Sequence, residues 1–312
     1  MTPAEASAFI ADAQAKGGVK PAPKTDVASV DELMAILESD DVRRFDAAAR
    51  FLTGKTGVEP QSLHATLELL WTDSNQVGAS LTEELGKRAQ ALVEQLEKKQ
   101  GSGQTLSADE AKQLEEARNR QAFLAKAQGA LLVLAKDHLN TAGPLVEETV
   151  RQFPRDPQAH RVVAYYSLLT GDLDRFDNAM ELLKASEATD AGLQYLRAME
   201  ANRRFVSRPK TRDYLAKALT LKPGLVRAQA KLVLFQENID DTYAELQKLR
   251  ALAPDHALVG LVGDAITKSY ELDHAFDRAK QPPAPAPPAP APPTSTAPAA
   301  TSPAPSTPPT TP

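Results

Sequence analysis

The sequence contains no cysteine, and aromatic residues make up only 5% of its 312 positions. Without thiols the chain has no disulfide framework, thiolate zinc site, iron–sulfur cluster or cysteine nucleophile. No apolar run approaches the roughly 20 residues of a membrane-spanning helix. No segment alternates polar and apolar residues with a period of two, so no sheet is expected. These absences favour an all-α protein of packed helices rich in alanine and leucine.

Two terminal segments differ in composition from the rest of the chain. Residues 281–312 hold 14 of the 24 prolines and no charged side chain. Such a segment buries too little to offset its ordering entropy, which predicts a disordered tail, either a spacer or a ligand for a polyproline-reading domain. Residues 1–29 are predicted to be flexible, with at most a weak helix over Pro3–Ala15. They lack the basic start and apolar core of a secretory signal, which predicts a cytoplasmic protein.

Helical periodicity begins near residue 30 and predicts an N-terminal helical region over residues 30–106. One helix is expected over Val77–Lys99. The sequence from Ser107 to Glu110 forms a capping box that opens another helix, predicted to run to about His138. The two are expected to pair as an antiparallel hairpin. Residues 30–100 are either further, diverged repeats or a separate helical cap. The Gly-Ser-Gly break after Gln100 favours the separate cap.

Residues 107–280 are predicted to form a domain of helical repeats. Amphipathic helices close at Pro157, Asp190, Pro223 and Pro254, at intervals of 33, 33 and 31 residues, and another helical run follows each closure. Such a helix–turn–helix unit cannot bury its apolar face alone and must stack on its neighbours.

Two segments carry a resemblance to a known family. Tyr214-Leu-Ala-Lys-Ala-Leu-Thr-Leu-Lys-Pro223 resembles the second helix and closing proline of the tetratricopeptide repeat (TPR) family. Ala164-Tyr165-Tyr166, followed by Gly171-Asp172, resembles its first helix and turn. The resemblance covers about residues 121–280 and implies a TPR-like α-solenoid of stacked helical hairpins. Another α-solenoid and an irregular bundle are the alternatives. The resemblance also implies a non-catalytic adaptor or scaffold that binds a partner segment in a concave groove.

The basic stretch from Arg197 to Lys217 has seven cations and two acids, on a chain of net charge −5. These charges are either solvated or line the groove, where they would bind an acidic segment or a C-terminal carboxylate of another protein. The negative net charge argues against nucleic acid as the partner. In the TPR family the first helix of each repeat lines the concave groove. The resemblance therefore implies these candidate lining residues: Arg161, Tyr165, Arg197, Ala201, Arg204 and Lys231.

Catalytic and cofactor motifs are not found in the sequence. The five histidines are scattered, and Gly54-Lys-Thr lacks the earlier glycine of a phosphate-binding loop, because that position is Ala49. We therefore expect no enzyme, no cofactor and no metal site, although an enzyme with a distributed site is the third hypothesis. The second is a structural or assembly component that self-associates through the hairpin of residues 77–138.

Overall fold

The computed structural model describes residues 1–20, 26–39, 42–54 and 60–280. Within these ranges there are twelve α-helices and two short 3-10 helices, and no β-strand. The prediction of an all-α protein is confirmed. The chain divides into two units, Met1–Asp273 and His274–Pro312, and the features described below belong to the first. The predicted tail, residues 281–312, lies outside the described residues.

The helices fall into an N-terminal group, a long hairpin and a series of shorter pairs. Their bounds are α1 Pro3–Lys16, α2 Val30–Ser39, α3 Phe45–Thr53, α4 Pro60–Gly101, α5 Ala108–Gln152, α6 Pro157–Thr170, α7 Leu173–Leu183, α8 Ala191–Phe205, α9 Arg208–Leu221, α10 Val226–Leu234, α11 Ile239–Leu252 and α12 Ala257–Lys280. None of these helices, as far as the structure describes them, is long and apolar enough to cross a membrane.

Helix α1 lies in the segment predicted to be flexible, but it is held by its neighbours. Thr2 and Glu5 form a capping box at its start. Ala6, Ile10 and Ala13 are buried, and the helix packs against α5. Tertiary contact therefore supplies the stability that a short isolated helix lacks in water.

The antiparallel hairpin of α4 and α5 is present and is longer than predicted. Ion pairs join Lys99 to Glu110 and Arg118 to Glu97, so the two helices run in opposite directions. Helix α4 begins at Pro60, well before the helix predicted over Val77–Lys99. Helix α5 does not end near His138 but continues through Pro144 to Gln152. Ala142 and Val146, on either side of the proline, are fully buried, and this packing offsets the lost backbone hydrogen bond.

After the hairpin, helices α6 and α7, α8 and α9, and α10 and α11 pack as pairs. The first helices of the three pairs are α6, α8 and α10. From the start of α6 to that of α8, on to that of α10 and then to that of α12, the intervals are 34, 35 and 31 residues. Pro157 opens α6 instead of closing the preceding helix, and Asp156 caps it. Asp190 likewise is the N-cap of α8. Both residues therefore begin a repeat unit, because an Asp at the N-cap satisfies free backbone N–H groups.

Two apolar clusters form most of the core. The first joins α2, α3, the start of α4 and the end of α5 to helices α6–α10. The second joins α1, the middle of the hairpin and helices α10–α12. Helix α10 contributes to both, with Ala228 and Leu232 in the first cluster and Ala230 and Val233 in the second. The boundary predicted at residue 106 therefore lies inside one compact unit.

Candidate functional site

The chain's own helix α4 covers part of the face of α6, α8 and α10 that was expected to form the partner groove. Helix α4 packs against both α6 and α10. At the point of contact Asp73 of α4 meets Tyr165 of α6, Tyr195 of α8 and Lys231 of α10. We refer to these four residues as the Asp73 cluster. They come from four helices that are far apart in the sequence.

The Asp73 cluster is a buried, hydrogen-bonded ion pair. The Lys231 ammonium donates to Oδ1 of Asp73 over 2.7 Å and to the Tyr195 hydroxyl over 3.1 Å. The Tyr165 hydroxyl donates to Oδ2 of Asp73 over 2.9 Å, and the Tyr195 hydroxyl donates to the same oxygen. The carboxylate thus receives three donors, and both charges are compensated inside the protein.

The environment of Tyr195 keeps its phenol protonated. Burial raises the pKa of Tyr195 well above its ordinary value, and the negative charge of Asp73 raises it further. The adjoining cavity, lined by Ser74, Arg227 and His256 among others, is about 20 Å³ in volume. That volume admits about one water molecule and no larger substrate. The arrangement can therefore hold α4 in place.

The six predicted groove residues fall into two groups in the structure. Tyr165, Ala201 and Lys231 are buried, with exposed fractions of 6%, 2% and 6%. Tyr165 and Lys231 bind Asp73, so a carboxylate of this chain occupies two of the predicted groove residues. The three arginines lie nearer the surface, and each pairs with a carboxylate of this chain.

Arg161 is held by a neighbouring helix start. Its guanidinium contacts both oxygens of Asp190, at 2.6 and 3.3 Å. Asp190 also accepts the backbone N–H of Leu193 and so caps α8. The orientation of Arg161 is therefore coupled to the cap of the next repeat.

Arg197 and Arg204 belong to a charge network along α8. Arg197 binds Glu187 through two nitrogens at 2.8 and 2.9 Å and reaches Glu200 over 2.8 Å. Its guanidinium lowers the pKa of Glu187 below the ordinary value. Arg204 binds Asp177 over 2.6 Å and lies 2.9 Å from Glu200. Much of the local positive charge seen in the sequence is thus neutralised by acids from other segments.

An open cleft lies beside the Asp73 cluster, where helices α6, α8 and α10 begin. Its volume is about 760 Å³, and Arg161 and Tyr165 are among its lining residues. We call it the first-helix cleft. Its apolar surface comes from α2, α4 and the repeats and includes Met34, Leu37, Leu63, Leu69, Leu70, Val162, Leu196, Leu221 and Leu225. Charged residues of both signs complete it: Glu38, Asp156, Arg161, Asp190, Lys222 and Arg227.

The sequence did not single out Asp73 or Tyr195. A signal for Asp73 was present, because it interrupts an apolar stripe between Leu70 and Val77, at the spacing of a buried helix face. A charged residue at such a position predicts a buried partner, but it does not say which one. Lys231 is 158 residues away, and only the fold shows that the two meet.

The described residues contain no group of three or more histidine, aspartate or glutamate side chains placed to hold a metal ion. Comparison with protein-family models, with curated proteins and with solved structures finds no match to the chain. The case for a function therefore depends on the geometry of the chain itself.

Proposed function

We propose that this chain is a non-catalytic adaptor or scaffold with TPR-like repeats, which binds a segment of another protein in the first-helix cleft. The observation that carries the proposal is an open volume of about 760 Å³ whose lining combines aliphatic side chains with charges of both signs. Concave surfaces that combine apolar side chains with placed polar groups are typical of binding sites.

Support for TPR-like repeats comes from the helical pairs. Successive first helices start 34 and 35 residues apart before the interval shortens to 31, close to the 34-residue unit of that family. Pro223 and Pro254 each follow the last residue of a second helix by two positions. The long hairpin and α4 across the first helices are additions that the repeat pattern does not contain.

The chemistry of the cleft favours a segment that presents apolar side chains together with an acidic group. Its aliphatic side chains offer apolar area, which supplies most of the affinity in such a groove. Arg161 presents a guanidinium whose geometry Asp190 fixes, and this suits a partner carboxylate at the cleft. Because acids of this chain also line the cleft, the charges set orientation more than affinity.

The test compares two leucines in equivalent positions. Leu221 ends α9, lines the cleft and is 43% exposed; Leu252 ends α11, lies outside the cleft and is 39% exposed. Affinity purification from the native cell should identify proteins that Leu221→Glu loses and Leu252→Glu retains. For a partner so identified, Leu221→Glu should weaken binding about tenfold. Equal retention by both variants would contradict the proposal.

Self-association through residues 77–138 has less support from the surface of the hairpin. Two large apolar side chains of this range are exposed, Phe123 and Leu132. The Phe123 ring already packs near Phe9 of the same chain, with 5.9 Å between the ring centroids. A stable helical interface needs a longer apolar stripe. Light scattering on the full chain should show a monomer at micromolar concentration.

A further inference from the structure

The turn between α8 and α9 presents two adjacent large apolar side chains to solvent. It consists of Val206 and Ser207, and Phe205 is the last residue of α8. Phe205 is 59% exposed and Val206 is 77% exposed, the highest value among the large apolar side chains that the structure describes. Both protrude from the surface, so they form a knob.

The backbone at Val206 is strained. Its φ is 47° and its ψ 34°, in the left-handed region, and no other non-glycine residue in the described part of the chain has a positive φ. A β-branched side chain is disfavoured there, whereas glycine is tolerated freely. A valine that is 77% exposed thus stands where folding alone would favour glycine.

Three cations within four residues of the knob in the sequence have no acidic partner among the described residues. Arg203, Arg208 and Lys210 are exposed, and among the described residues no carboxylate pairs with them. The Lys210 ammonium lies 4.4 Å from the centre of the Phe205 ring, and Arg208 donates to the carbonyl of Gln236. The exposed acids beside these cations are Asp213 and Glu237, and Glu237 pairs with Arg212. The apolar tip therefore carries local positive charge on a chain of net charge −5.

We propose that this knob, Phe205 and Val206 together with the neighbouring cations Arg203, Arg208 and Lys210, docks on the surface of an anionic lipid bilayer. A protruding apolar tip needs a soft apolar receptor, and the headgroup boundary of a bilayer accepts such a tip without a preformed pocket. An aromatic ring suits that boundary, and flanking cations are attracted to anionic headgroups. This proposal does not depend on the first-helix cleft or on its partner.

The test uses the full chain with two kinds of vesicle. Co-sedimentation is measured with phosphatidylcholine alone and with phosphatidylcholine containing about 30% phosphatidylserine. The chain should bind the second kind and not the first, and about 0.5 M salt should release it, because salt screens the cations. Equal partitioning to both kinds of vesicle, or to neither, would overturn the proposal.

Variants separate the contribution of the knob from that of total charge. Arg203→Glu with Lys210→Glu should reduce partitioning by at least about 30-fold, because each cation near an anionic surface contributes about fivefold. Lys112→Glu with Lys248→Glu changes the net charge equally at exposed sites outside the knob and should leave partitioning unchanged. If both pairs behave alike, the knob is not the docking surface.

The apolar tip is tested in the same way. Phe205→Ser should reduce partitioning about tenfold. Leu182→Ser, at a side chain 65% exposed on α7, is the control and should have no effect. A soluble acidic polypeptide, polyglutamate, tests the other class of partner. If polyglutamate binds as well as the vesicles do, and Phe205→Ser alters neither, the knob recognises acidic protein and the bilayer proposal is wrong.

Discussion

The Lys231 ammonium lies 2.7 Å from Oδ1 of Asp73, and the two side chains are only 7% and 4% exposed. This contact joins α4 to the repeats, because Asp73 belongs to the long hairpin and Lys231 to the first helix of the last pair. The sequence had placed Lys231 among the candidate lining residues of a partner groove. The chain satisfies it internally, and several consequences can be measured.

Removal of one partner of this pair should be costly. Lys231→Met leaves a buried carboxylate with tyrosine donors alone and should lower the free energy of unfolding by about 3–5 kcal/mol. Asp73→Leu with Lys231→Met removes both charges and should lose less than the sum of the single variants, which urea denaturation can show. Additive losses would mean that the two charges do not interact.

The two tyrosines of the Asp73 cluster should differ in their contribution to stability. Tyr195 donates to Asp73 and accepts from Lys231, so its hydroxyl joins both charges of the ion pair, whereas the Tyr165 hydroxyl donates to the Asp73 carboxylate. Tyr195→Phe should therefore cost more than Tyr165→Phe, about 2 kcal/mol against about 1 kcal/mol. Urea titration of the two variants provides the comparison, and the reverse order would contradict this geometry.

Two glycines test whether α1 is held against α12. A Cβ at Gly260 would collide with Val19 and with the carbonyl of Gln14, whereas a Cβ at Gly129 of α5 would meet nothing within 4 Å. Gly260→Ala should release the α1 end and speed hydrogen exchange of its amides. Gly129→Ala should stabilise the protein by about 0.5–1 kcal/mol, because alanine is the better helix former. Unchanged exchange in Gly260→Ala would contradict the packing of α1.

Acid should weaken the contact between α4 and α5 at Glu68. Burial alone would raise the pKa of Glu68, but hydrogen bonds with His138 and His64 outweigh it and leave that pKa below the ordinary value. The free carboxyl titrates near 4.3 in the unfolded chain. The stabilisation is therefore complete above about pH 4.3 and is lost as the pH falls through the folded pKa. Glu68→Gln should flatten this loss in urea titrations between about pH 5 and 3, whereas Glu115→Gln, at an exposed position, should not.

Val206→Gly should stabilise the protein by about 1 kcal/mol, because it relieves the left-handed backbone of a β-branched residue. Thermal unfolding of the full chain measures the change. The same variant should bind anionic vesicles less, so stability and binding should move in opposite directions. A loss of stability would mean that the valine packs in a way that its 77% exposure does not indicate.

Elements with strong local signals were predicted well. The capping box of Ser107 and Glu110, the antiparallel hairpin and the paired helices after residue 157 follow from sequence periodicity and cap residues. The end of α5 was predicted too early, because Pro144 is tolerated where Ala142 and Val146 pack. The order of α1 could not be predicted either, since it depends on α5 and on the close approach of Gly17 to Gly260.

The candidate site, too, was predictable from the sequence only in part. Periodicity placed Arg161, Tyr165 and Lys231 on first helices, which was sufficient to bring Arg161 and Tyr165 to one cleft. It could not show that α4 lies across that face, because α4 carries no repeat and meets the repeats only in three dimensions. The positive charge assigned to residues 197–217 counted only the residues of that stretch. In the structure, Glu187, Asp177 and Glu237 from other segments form ion pairs with its arginines and reduce that charge.

By itself the sequence determined the class of the protein, its helical pairs and the absence of thiol chemistry, because these depend on composition and on contacts a few residues apart. Only the tertiary structure decided what the inward-facing polar residues do. Asp73 and Lys231 are separated by 158 residues, and burying either charge is favourable only when the other lies beside it. That pairing holds α4 over part of the expected groove and leaves the adjacent cleft open.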